Sequence, residues 1–150
     1  MAIQMLYQFD VGGSDLRQIF ATFDLVPYLN QTAEGENPRA ASKQRRRRFE
    51  SAFEYARTLV SGTVEKVEEI DALIAGQADN WRLSRMPVVD RNVLRLAIYE
   101  LIVEEDIPKL VVVDEAIELA KRFGSENSSR FVNGLLDGLL KQHRFPGKLS

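Results

Sequence analysis

No cysteine occurs among the 150 residues. Disulfides and thiolate metal sites are therefore excluded, which suits a reducing cytosol. There is a single histidine, His143, and the sequence places neither a serine nor a carboxylate beside it. No glycine-rich loop runs into Lys-Ser or Lys-Thr, and no HExxH pair occurs. The signatures of phosphate-cradling and zinc-hydrolase sites are thus missing. No apolar run approaches the roughly 20 residues that span a bilayer. No charged-then-apolar leader opens the chain. A cytoplasmic protein is expected, with no membrane attachment, no cofactor and no metal. Strand-like alternation and internal repeats are also lacking. The net charge of −2 argues against an indiscriminate nucleic-acid coat, although a local basic patch is not excluded.

Helical patterning fills the sequence. Apolar residues make up 45% of it and charged ones 28%, enough for one cored domain. Residues 90–142 organise the rest, with three amphipathic helices in succession. In the first, Val89, Val93, Ala97 and Leu101 recur at fours, and Leu94 and Ile98 widen the stripe. Asp90, Arg91, Arg95 and Glu100 fall off it. Pro87 marks the start, and the acidic residues 104–106 with Pro108 mark the end.

The second helix buries Val113, Ala116, Ile117, Ala120 and Phe123. Asp114 and Glu115 are expected in its first turn and Lys121 and Arg122 in its last, complementing the dipole. Gly124 is expected as a left-handed cap. Ser125 or Ser128 should cap the third helix, whose buried row is Phe131, Val132, Leu135, Leu136, Leu139 and Leu140. Gly134 in mid-helix predicts a close helix crossing.

Upstream, residues 1–11 predict a helix stopped by Gly12 and Gly13, with Ile3, Leu6 and Tyr7 on one face. A second helix to Asp24 turns Leu16, Ile19, Phe20 and Phe23 inward. Residues 31–44 are polar and predict an exposed loop. A long helix is expected from about Arg45, with Phe49, Phe53, Ala56, Leu59 and Val60 inward. Gly62 marks a bend or cap, and a helical stripe continues to Gly76. Trp81, Leu83 and Met86 pack the connection that follows. The tail from His143 is expected to fray.

One charge feature stands out. From residue 36 to 48, six cations face Glu36 alone, a local surplus of five. Arg45, Arg46, Arg47 and Arg48 are adjacent at a predicted helix start, where cations oppose the dipole. Arginine forks suit phosphates bidentately, so RNA is a natural partner for this run. Pairing with Glu50 or Glu54 is the competing reading.

The strings DRNVLRLAIYEL, VVDEAIELAKRFG and SRFVNGLLD, with Met5-Leu6-Tyr7-Gln8-Phe9-Asp10 early in the chain, closely resemble the NusB family of transcription antitermination factors. The resemblance runs from residue 1 to about 142 and is weak between 10 and 49. It implies an all-α fold of about seven helices in two three-helix subdomains, here 1–76 and 77–150. It implies no enzyme activity. It implies binding of boxA-type single-stranded RNA together with the ribosomal small-subunit protein NusE, within the RNA polymerase antitermination complex on ribosomal RNA operons. Carried over by position, the RNA contacts are Tyr7, Gln8, Glu126, Ser129, Arg130 and Phe131. Asn127 stands among them where an acidic residue is common, and losing that charge favours RNA. The protein partner would dock on the flank that includes Asp90. Dimerisation is left open.

The family's arginine-rich leading segment is not in this sequence, and Met1 falls inside a helical pattern with no capping residue. The true start is therefore expected upstream. Two other readings remain beside the antitermination one. The first is a protein-only adaptor for a ribosomal or polymerase partner. The second is a relative of the accessory domain that precedes some RNA methyltransferase domains.

Overall fold

The structure, a computed structural model, describes residues 1–23, 38–78 and 83–150, with backbone alone at 38–42. Among these residues there are seven α-helices, one short 3-10 turn and no strand. The all-α expectation holds. The helices are α1 (Ala2–Gly12), α2 (Leu16–Thr22), α3 (Pro38–Glu65), α4 (Val67–Gln77), α5 (Val88–Val103), α6 (Lys109–Phe123) and α7 (Ser128–Gln142). Two compact units divide within α3, as Met1–Val60 and Ser61–Ser150.

In the first unit α1 packs on α2. Gly13 takes φ 62 as the left-handed residue after α1, which is why the helix stops there. Asp15 caps α2, its Oδ1 accepting from the Arg17 N–H at 2.9 Å. Ile3, Met5, Leu6, Ile19, Ala56, Leu59 and Val60 are buried. Phe23 lies 6.0 Å from Phe53 between ring centres. Asp24 and the stretch 31–37 of the expected loop lie outside the described residues.

The long helix starts earlier than the sequence suggests, because residues 38–44 are helical. Pro38 fits a first helical position, where its missing N–H leaves no bond unmade. Gly62 neither bends nor caps this helix. A Cβ there would collide with the Tyr99 ring, so the glycine admits the aromatic against the backbone.

In the second unit α5 touches α4, α6 and α7, and α6 and α7 pack on each other. α4 also touches α7, so the boundary expected after Gly76 lies inside this unit. α5 is buried almost all round, including Asn92 and also Asp90 and Arg95, which the stripe placed mostly outside. Arg95 reaches across to α4. Its Nε donates to Asp71 Oδ1 and its Nη2 to Asp71 Oδ2, both at 2.9 Å. Its Nη1 donates to Asn92 Oδ1 at 3.3 Å. Met86 is buried and Leu83 half-buried before α5, while Trp81 is outside the described residues.

Four expectations, on helix ends, the tail and the glycines, are corrected. α6 begins at Lys109, so Asp114 and Glu115 lie beyond its first turn. Its first N–H groups are satisfied by the tail instead. Lys109 and Leu110 donate to the carbonyls of Lys148 and Leu149, both at 2.9 Å. Gly147, at φ 88, lies so close to the Glu105 backbone that a Cβ would clash. The tail is therefore docked rather than frayed. Gly124 is extended, at φ −93 and ψ −170, and not left-handed. A Cβ on it would meet Ser128 and the Ala120 carbonyl, so close approach is what requires glycine. Finally, Gly134 has nothing near its missing Cβ, whereas Gly138 meets the Gln77 side chain. The close approach predicted at Gly134 occurs one turn later.

Candidate nucleic-acid interface

The segment from Glu126 to Phe131 is built around a buried hydroxyl. Ser128 is almost fully buried, and its Oγ accepts from the Ser125 N–H at 2.9 Å. The Ser125 hydroxyl lies 3.2 Å from the same oxygen. Ser128 therefore ties the α6–α7 loop to α7 instead of capping the helix. Asn127 occupies the cap position and makes no side-chain cap bond. Val132, Leu135, Leu136 and Leu139 anchor the helix, while Phe131 and Leu140 are only half-buried.

This anchoring fixes what faces outward. Glu126, Asn127 and Arg130 are exposed, and Ser129 and Phe131 are half-buried. No acidic residue stands in the first turn of α7. Its uncapped N–H groups and the nearby Arg130 guanidinium both favour an anion such as a phosphate. Phe131 retains some exposed ring surface for a base to stack on. The structure thus brings together the five residues of the α7 start expected to touch RNA.

Tyr7 and Gln8 lie on α1 in the other unit. Burial of α1 runs through Ile3, Met5 and Leu6, which leaves Tyr7 49% exposed and Gln8 exposed. Tyr7 therefore does not share the inward face assigned to it with Ile3 and Leu6. It offers its ring outward.

The arginine run lies inside α3, well beyond its first turn. The dipole effect fades within one turn, so the run is not disfavoured by position. Arg46, Arg47 and Arg48 are exposed and Arg45 is half-buried. Arg46 Nε pairs with Glu50 Oε1 at 3.5 Å, with both side chains mostly in water. Such an exposed pair contributes only about 0–1 kcal/mol.

Asp90 departs from the expected exposed position. It is 4% exposed, and among the described residues its Oδ1 has no hydrogen-bond partner, as is true of Asn92 Nδ2. Neighbouring Arg91 donates from Nη1 to the Leu83 carbonyl at 3.0 Å.

Among the described residues no three His, Cys, Asp or Glu side chains are placed to hold a metal ion. Nor does any described helix have the length and apolarity to cross a membrane. Two exposed aromatics were missed on the sequence: Phe123, expected in the buried row of α6, is 40% exposed, and Tyr55 is the other. Tyr55 is 52% exposed on α3. Its only signal was its place off the inward row of Phe49, Phe53 and Ala56.

These features define an all-α protein whose basic and aromatic side chains lie on helix surfaces. The chain belongs to the NusB family, whose model matches residues 1–141. It is 45% identical over 141 residues to the transcription antitermination protein NusB of Desulforamulus reducens, covering 93% of this chain and 84% of that one. It is 55% identical over 92 residues to the protein of that name from Thermotoga maritima, a match spanning 61% of this chain and 65% of its relative. A crystal structure of antitermination factors NusB and NusE in complex with double-stranded RNA aligns with a TM-score of 0.70. The identity is 28%, over 95% of this chain and 92% of that one.

Proposed function

We propose that this protein is a transcription antitermination factor. It binds boxA-type single-stranded RNA together with the ribosomal protein NusE, in the RNA polymerase complex that transcribes ribosomal RNA operons. The alignment of 95% of the chain with a structure of NusB and NusE in complex with double-stranded RNA carries this reading. The protein works in the cytoplasm by binding, without catalysis.

Each group has a role. The α7 start and Arg130 take a phosphate, and Asn127 adds no opposing charge. Ser129 and Gln8 offer neutral hydrogen bonds. Glu126 is a negative group at the α7 start and disfavours close phosphate approach, which orients the strand. Tyr7 and Phe131 stack on bases. Of Arg45, Arg46, Arg47 and Arg48, those not paired within the helix add counterion release and little sequence preference. NusE docks on the flank containing the start of α5, with Asp90 supporting that surface from beneath.

The test has two stages. Immobilised NusE should capture the protein from solution. The captured pair should then bind a fluorescent boxA RNA more tightly than either protein alone, and more tightly than a scrambled strand or a duplex. Phe131→Ala should weaken RNA by about 1–3 kcal/mol without changing the salt slope. Capture of NusE with no RNA binding would favour the protein-only adaptor. Because Asp90 is buried, its part is tested by the near-isosteric Asp90→Asn, and unchanged NusE affinity removes it from the interface.

A further inference from the structure

The arginines of α3 lie on different flanks of the helix. With about 100° per residue, Arg46, Glu50 and Arg57 project on one side, and Arg48, Ser51, Ala52 and Tyr55 on another. The first side is internally engaged. Arg46 pairs with Glu50, while Arg57 reaches Glu54 at 3.7 Å and lies 5.3 Å over the Phe20 ring.

The second side has a different character. The residues three and four positions from Arg48 are Gln44, Arg45, Ser51 and Ala52, and none carries a carboxylate. Two turns on, Tyr55 presents a half-exposed ring. Ser51 and Ala52 lie between them, exposed and too small to obstruct a ligand. The strip is thus a cation and an aromatic face about 10 Å apart along the helix, with a low gap between.

We propose that Arg48 and Tyr55 form a single-stranded nucleic-acid contact, the guanidinium holding a phosphate and the tyrosine ring stacking on a base. This inference rests on the RNA-binding reading above and adds Tyr55 to it. It also divides the arginine run, making Arg48 the member that contacts RNA and Arg46 the member that pairs within the helix. The chemistry fits nucleic acid better than an apolar peptide, because the strip exposes no aliphatic side chain larger than that of Ala52. Stacking on an aromatic accepts any base, so the contact adds affinity without sequence choice.

The experiment is a salt series of fluorescence titrations with a short labelled single-stranded RNA, using the full chain with NusE present. Tyr55→Ala should weaken binding about five- to hundredfold, and Tyr55→Phe should restore it. Arg48→Gln should lower the magnitude of the salt slope by about 0.7, and Arg46→Gln should leave it near the wild-type value. Both Tyr55 and Arg48 are exposed, and matching thermal melts confirm that the variants fold. Wild-type affinity in Tyr55→Ala, with Phe131→Ala weakened, overturns this inference and leaves the RNA-binding reading standing. Loss of NusE capture in Tyr55→Ala, with RNA affinity intact, also overturns it and makes the strip a protein interface. Absence of RNA binding by the wild type overturns both readings.

Discussion

Removing the carboxylate of Asp71 should be among the most damaging polar changes in the second unit. Asp71 takes both forks of the Arg95 guanidinium at 2.9 Å and thereby joins α4 to α5. The Arg95 side chain is 9% exposed and that of Asp71 24%. Asp71→Ala strands a desolvated cation, although Asn92 Oδ1 remains as an acceptor for Nη1. Breaking a fully buried pair costs about 3–5 kcal/mol, and a surface pair contributes about 0–1. With one partner a quarter in water, about 2–3 kcal/mol is expected. In urea the midpoint should fall by about 1 M at unchanged slope, since the slope for a small protein is roughly 1–3 kcal/mol/M. The double change Asp71→Leu with Arg95→Met removes both charges and should recover most of the loss. A loss below about 1 kcal/mol for Asp71→Ala would refute the argument, because the pair would then be behaving as a surface one.

Leu101, 1% exposed on α5, should cost about 2–5 kcal/mol on truncation to alanine, read by chemical denaturation. Gly134→Ala should stabilise by about 1 kcal/mol, since it gains helix propensity and its Cβ enters open space. Gly62→Ala should instead lower the melting temperature, because Tyr99 occupies the space its methyl needs. Burial holds the Glu100 carboxyl above its ordinary value of 4.5, and the carboxylates of Glu104 and Glu115 push it the same way. Charging Glu100 therefore destabilises the native state. That penalty is absent below pH 4.5 and sets in as pH rises through the elevated folded value. Glu100→Gln should be more stable than wild type at neutral pH, with the difference vanishing on acidification. An equal gap at both ends of a pH series of melts would contradict this.

The fold was legible where apolar spacing is regular. The period of 3.6 located α5, α6 and α7, and the inward rows of Val93 to Leu101 and of Val132 to Leu139 are buried as spaced. Helix ends were less legible, because what satisfies them is remote in sequence. Nothing near Lys109 indicates that the carbonyls of Lys148 and Leu149 receive its first N–H groups. Glycines were misread for a related reason. Gly62 and Gly124 serve approach by Tyr99 and Ser128, whereas a local rule assigns them a bend and a left-handed cap. Arg95 and Asp90 were placed outward by a stripe that assumes one wet face. α5 has packed neighbours on several sides and leaves no such face for them.

The candidate site was legible in its members and less so in its reasons. Tyr7 and Phe131 fall where periodicity alone would bury them, yet both keep exposed ring surface, because neighbouring residues carry the core. For the arginine run the original reason fails, since the helix begins at Pro38 and the dipole exerts little on residues 45–48. A better reason lies in the helical neighbourhood of each arginine. Arg46 has Glu50 one turn away and pairs with it. Arg48 has no acidic residue at that spacing and shares its flank with an exposed tyrosine. Four adjacent arginines are therefore not equivalent, since successive residues face directions about 100° apart. What separates them is the presence or absence of a carboxylate within one turn. On that ground a phosphate meets no competing carboxylate within one helical turn of Arg48, and at Arg46 it meets Glu50 already in place.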